Sequence, residues 1–217
     1  HNRMGVENVG TIIARGVLID VAALLREGEA EAGRDPEDFP QPEYEFTPEE
    51  IERALLRQNL TIDDIHPGDA LLIRTGWAGR FWTSNPADPR NERLKYLNNG
   101  QDEEFLPGGP GLDARAIQWT LNRQPVLVAA DVKSIEIANP FKQPAPFHRP
   151  GHVSWLSSGI YMLEDVDLEE WAADCEQERV ENGTPSPDES CYVTTLIVQT
   201  IPIRGSGGST VAPIAVR

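Results

Sequence analysis

The residues whose types and spacing best suit chemistry are His152 and Glu164, twelve positions apart in the stretch Gly151-His152-Val153-Ser154-Trp155-Leu156-Ser157-Ser158-Gly159-Ile160-Tyr161-Met162-Leu163-Glu164. An imidazole and a carboxylate are ligands that a catalytic Zn²⁺ or Mn²⁺ takes in hydrolases. To meet, they need the intervening chain to fold back on itself. Pro150-Gly151 can open a short helix, because proline suits a first helical position. Gly159 can close it in the left-handed conformation. Ile160 to Leu163 then reads as an apolar strand ending on the carboxylate. A helix folded back on that strand brings both groups to one sheet edge. The competing reading makes His152 a helix cap and Glu164 a solvated strand end.

Other candidate groups carry less. The remaining histidines are His1, His66 and His148. His148 and His152 have helical spacing, but Pro150 and Gly151 between them break a continuous two-His helix. There is no Gly-x-Ser-x-Gly elbow to present a nucleophilic serine. Gly205 to Gly208 lacks the Lys-Ser/Thr that follows a phosphate loop. The segment from Trp77 to Leu106 is long for a structureless loop, and its aromatics Trp77, Phe81 and Trp82 are candidates for a substrate wall. The alternative is that these aromatics fill a subunit contact. Asp131 and Ser134, at a strand's end, suit a site or a structural role alike.

The elements that must position these groups are visible in the pattern. Thr11 to Ala23 reads as a strand buried on both faces, and Gly28 to Tyr44, acidic and rich in proline, as a surface loop. Thr47-Pro48-Glu49-Glu50 is a capping box opening a helix. Pro67-Gly68-Asp69 turns into a strand from Ala70. Asp113 caps a helix that Pro125 stops, and Val126 to Asp131 is another buried strand. Lys133 to Phe147 reads as a proline-rich loop, and Asp167 as the cap of a later helix. The pattern predicts strands near 16–21, 70–75, 126–131, 160–163 and 193–202, and helices near 48–58, 113–123 and 168–177. No repeat or linker divides residues 1–217, so a single domain is expected.

Composition narrows the function classes. Hydrophobic content of 39% and charged content of 25% are those of an ordinary globular chain. No apolar run approaches the ~18 residues of a membrane span, and no signal peptide is recognisable. A net charge of −16 argues against nucleic-acid partners. Cys175 and Cys191 are too few for a zinc cluster or a disulfide framework. Two reduced, partly buried thiols in a cytoplasmic protein are expected.

The order of the pieces resembles a known family. Arg15-Gly16-Val17-Leu18-Ile19-Asp20-Val21, then Gly68-Asp69 with Leu72-Ile73-Arg74-Thr75-Gly76-Trp77, are similar to two blocks of the cyclase family. This is the family of metal-dependent hydrolases that includes bacterial kynurenine formamidase and isatin hydrolase. Pro110-Gly111-Leu112, Ala130-Asp131, the block from His152 to Glu164 with Asp167-Leu168-Glu169-Glu170, and Gly207-Gly208-Ser209 with Pro213-Ile214-Ala215 continue the match in family order. The resemblance implies an α/β fold, a swivelling β/β/α layered domain with a mixed sheet. It also implies a divalent metal, Zn or Mn, and assembly as a homodimer or homotetramer.

The implied reaction is hydrolysis of a small amide, lactam, ester or lactone by metal-bound hydroxide. His152 and Glu164 match metal-site positions of the family, their spacing fitting the second-metal ligand pair of the formamidases. The family's His-x-Gly-Thr-His-x-Asp segment, with its remaining ligands and general acid/base histidine, is not in this sequence. The match therefore begins about a third of the way into a domain of roughly 300 residues, and the chain is expected to lack the N-terminal portion of the fold. The rival expectation is a non-catalytic member that binds a small molecule or serves as an assembly subunit, since a catalytic site usually has three protein ligands.

Overall fold

The computed structural model describes residues 5–36, 40–41, 43–78, 109–137, 150–183 and 186–217. In chain order these form β1 (Thr11–Asp20), α1 (Val21–Glu31), β2 (Glu45–Phe46), α2 (Pro48–Arg57), β3 (Ala70–Arg74), β4 (Gly111–Leu112) and α3 (Ala114–Arg123). There follow β5 (Leu127–Ala130), α4 (Pro150–Ser157), β6 (Tyr161–Leu163), α5 (Glu169–Asn182), β7 (Val193–Gln199) and β8 (Ile214–Val216). A six-stranded mixed sheet runs β6-β5-β3-β1-β7-β8. Its four strands from β6 to β1 are parallel, and β7 and β8 join antiparallel. The α/β fold with a mixed sheet is thus the one observed.

The apolar pattern of the strands dictates their place. β3 and β5 are buried along their whole length, as parallel strands covered on both faces must be. β1 is buried only from Gly16 onward, where β3 pairs with it. Leu18, Leu72, Ala129 and Leu163 fall in one row across four strands. That register fixes what lies beyond the row. Asp20 pairs with Arg74, while Asp131 and Glu164 directly follow their strands. The polar ends of four parallel strands thus share one edge, where open α/β sheets bind ligands.

The capping chemistry holds at two helices. Thr47 and Glu50 form the reciprocal box of α2, and the Asp113 carboxylate accepts from Ala116 N at 2.6 Å. The start of α5 is shifted. Leu168 is its N-cap, and Asp167 instead accepts from Glu169 N at 3.1 Å.

Two expectations are corrected. The strand expected to run to Ala23 ends at Asp20, whose carboxylate accepts from Ala23 N at 3.0 Å and starts α1. The helix then occupies the first residues of the segment read as a loop. The alanine, leucine and glutamate of Val21–Glu31 favour helix, and a capping aspartate outweighs a continuing apolar run. Cys175 and Cys191 are not free thiols but a disulfide, with Cα atoms 5.4 Å apart, a separation a bridge requires. α5 packs back on the start of β7 and brings the two fully buried residues together. No helix among the described residues is long and apolar enough to cross a membrane.

Candidate active site

His152 stands in the first turn of α4 and Glu164 at the end of β6, and the reversal at Gly159 (φ +80°) turns one onto the other. His152 Nε2 lies 3.5 Å from Glu164 Oε1. Two ligand atoms at ordinary Zn–N and Zn–O distances on a tetrahedral ion stand roughly 3.3 Å apart. The pair therefore fits one divalent ion. Both side chains are about three-quarters buried, 23% and 29% exposed. Among the described residues, no group of three or more His, Cys, Asp or Glu is arranged to hold a metal.

A third group was not among the sequence candidates. Glu136, wholly buried, places Oε1 2.6 Å from His152 Nδ1 and accepts from His152 N at 3.3 Å. That amide is one of the donors a helix start leaves unsatisfied, and the helix dipole favours a carboxylate there. Glu136 is held by its backbone. It bridges to Leu112 of β4, with Leu112 N donating to Ile135 O and Ile137 N to Leu112 O. Ser134 Oγ donates to the Glu136 carbonyl at 2.9 Å, which gives Ser134 a structural role. Gly151 permits the approach, because a Cβ there would lie 2.6 Å from the Trp155 ring and 3.1 Å from Glu136 Cδ. The one signal in the sequence is an acid set between two isoleucines, Ile135 and Ile137, and the proline-rich surroundings mask it.

Asp131 is also structural. It accepts from Thr75 N and Oγ1, both at 2.7 Å, and from Gly76 N at 2.8 Å, clamping the chain that leaves β3. Burial pushes its carboxyl up to about 6, against the opposing effect of the Thr75 bonds. Next to it, Arg74 joins Asp20 at 2.8 Å and Glu169 at 2.6 Å. Burial alone would lower the guanidinium pKa, but the two carboxylates hold it above its ordinary value. Ion pairs thus occupy the middle of this edge, and a cavity of about 400 Å³ lies beside them, between α1 and α5.

Of the proposed substrate wall, Trp77 is half-buried against the core, and a Cβ at Gly109 would lie 3.3 Å from its Nε1 and 2.7 Å from Val132 Cγ2. The Val132 carbonyl accepts from Asp165 N at 3.1 Å, next to Glu164. Phe81 and Trp82 lie outside the described residues.

Residues 2–137 match the cyclase family model, described as "Putative cyclase". The chain belongs to the cyclase family. A crystal structure of a novel cyclase is 28% identical, with a TM-score of 0.66, covering 100% of this chain and 57% of that one. Isatin hydrolase A from Labrenzia aggregata (19% identity, TM-score 0.58) covers 98% of this chain and 65% of its own. The Ralstonia solanacearum enzyme (17%, TM-score 0.61) covers 98% and 64%. These two share the cyclase fold. The chain spans less than two thirds of each of these structures, and no curated protein matches it.

Proposed function

We propose that this cyclase-family protein is a metal-dependent hydrolase of a small amide, lactam, ester or lactone, with His152 and Glu164 holding a divalent ion, Zn or Mn. The observation that carries this is the 3.5 Å approach of His152 Nε2 to Glu164 Oε1 at the polar edge of the sheet. Family membership supports the reaction class. A bound divalent ion lowers the pKa of water and polarises the scissile carbonyl. The chain's own groups supply the rest. Glu164 contributes a negative charge, His152 a neutral nitrogen, and their partial burial limits competition from bulk water. Trp77, half-buried against the core, offers an apolar surface for the ring or acyl portion of the substrate. The reading includes self-association as a homodimer or homotetramer.

Replacing Glu164 by Gln removes the charge with almost no change of shape. Zn²⁺ or Mn²⁺ affinity, followed by competition with a chelator, should fall about 10- to 100-fold, a range typical of perturbed metal-site residues. Hydrolysis of a panel of lactams, lactones and aryl formamides should fall with it. Unchanged metal content and activity in E164Q would rule the assignment out. The non-catalytic reading is favoured by one observation, that only two prospective ligands meet among the described residues. Metal binding without turnover of any panel member would select it.

A further inference from the structure

We infer that Asp131 is a positioning residue for Trp77, which it holds through Thr75 just beyond the end of β3. This deepens the proposed function and rests on it for the substrate that Trp77 meets. Thr75 N donates to Asp131 Oδ1 at 2.7 Å, and Gly76 N to Asp131 Oδ2 at 2.8 Å. Thr75 Oγ1 also donates to Oδ1, at 2.7 Å, and accepts from Trp77 N at 3.2 Å. A hydroxyl has one proton, and an ionised carboxylate only accepts. Asp131 therefore takes the Thr75 proton and leaves the hydroxyl lone pairs to the Trp77 amide. The acid decides which way that hydroxyl faces, and the hydroxyl fixes where Trp77 begins.

β3 does not need this clamp for its own end. Arg74 already pairs with β1 and Ile73 with β5, so the clamp serves the residues beyond the strand. Gly76 turns the chain there at φ +79°, a conformation suited to glycine. Successive amides converging on one anion hold such a turn. The ring end is confined by the next residue of the same segment. A side chain at Gly109 would press on Val132 Cγ2, with its Cβ at 2.7 Å, and crowd Trp77 Nε1 at 3.3 Å. Asp131 and Val132 are consecutive and both buried. One sets the backbone of Trp77, and the other limits the space beside its indole.

Trp77 can be followed by ¹⁹F NMR of protein labelled with 5-fluorotryptophan, its resonance assigned by W77F. Aryl members of the lactam, lactone and formamide panel would be assayed on the same variants. Thr75→Val keeps the shape and removes the hydroxyl. The Trp77 resonance should move or split, while those of Trp119, Trp155 and Trp171 stay. KM for aryl substrates should rise about 3- to 10-fold, the size expected for one neutral hydrogen bond, with kcat and Zn²⁺ affinity unchanged. Thr75→Ser returns the hydroxyl and should reverse both effects. An unmoved Trp77 resonance in folded Thr75→Val would overturn the inference, and so would a moved resonance with unchanged KM. Amide exchange in the unaltered protein needs no variant. The Thr75, Gly76 and Trp77 amides should be protected, and exchange at open-chain rates would overturn the inference by itself. If no panel member is turned over, the hydrolase reading fails, while resonance and exchange still decide whether Asp131 holds Trp77.

Discussion

Asp131 shows how a single buried carboxyl ties stability to pH. Its pKa stands at about 6 in the folded protein and about 3.9 in an unfolded chain. The folded state thus binds the proton more tightly. Its stability contribution is full below about pH 4, lost as pH rises through 6, and constant above. Two units correspond to at most about 3 kcal/mol. Asp131→Asn cannot titrate, so the wild-type minus variant unfolding free energy should decline across that window in urea melts. A difference that stays flat from pH 4 to 6.5 would contradict this. At this scale the sequence was half legible. His152 and Glu164 could be paired because a proline, a glycine and an apolar run bound the segment between them. Glu136 could not, because its role comes from a bridge to Leu112, 24 residues away, that no local pattern announces.

At the scale of elements, α4 is the piece on which the site depends. It is only eight residues long, too short to be stable by itself, so tertiary contacts hold it. The tightest is at Gly151, where a Cβ would press on the Trp155 ring and the Glu136 carboxyl. Gly151→Ala should cost roughly 1–3 kcal/mol by overpacking, seen as a lower urea midpoint, and should weaken metal binding as the Glu136–His152 contact opens. An Ala variant as stable as wild type would show that the helix has room to move. The helices with complete caps, α2 and α3, were readable to within a residue or two. α1 was not, because the end of the strand and the first five residues of the helix, Val21 to Leu25, form one nearly unbroken apolar run. Only the Asp20 side chain marks the change of period.

For the molecule as a whole, charge sets the terms of association. With 35 acidic and 19 basic residues the net charge is −16, and copies of the chain repel one another. Exposed pairs such as Arg115–Glu49 are screened by water and salt and stabilise little, so repulsion prevails at low salt. The proposed self-association should therefore strengthen as ionic strength rises and the Debye length contracts. Sedimentation at micromolar concentration should show species heavier than 24.0 kDa in roughly 0.5 M salt and fewer of them in dilute buffer. A 24.0 kDa species alone under both conditions would remove oligomerisation from the proposal.

The setting of Trp155 gives the protein an optical gauge of its own candidate site. The indole is fully buried, donates from Nε1 to Thr120 Oγ1 at 2.8 Å, and lies one helical turn beyond His152 with its ring edge against Gly151. Light absorbed there is re-emitted from a dry, hydrogen-bonded pocket, at the blue end of the indole range. Any displacement of α4 that loosens His152 also admits water to this ring and reddens its emission. The colour of one side chain thus reports on the posture of another.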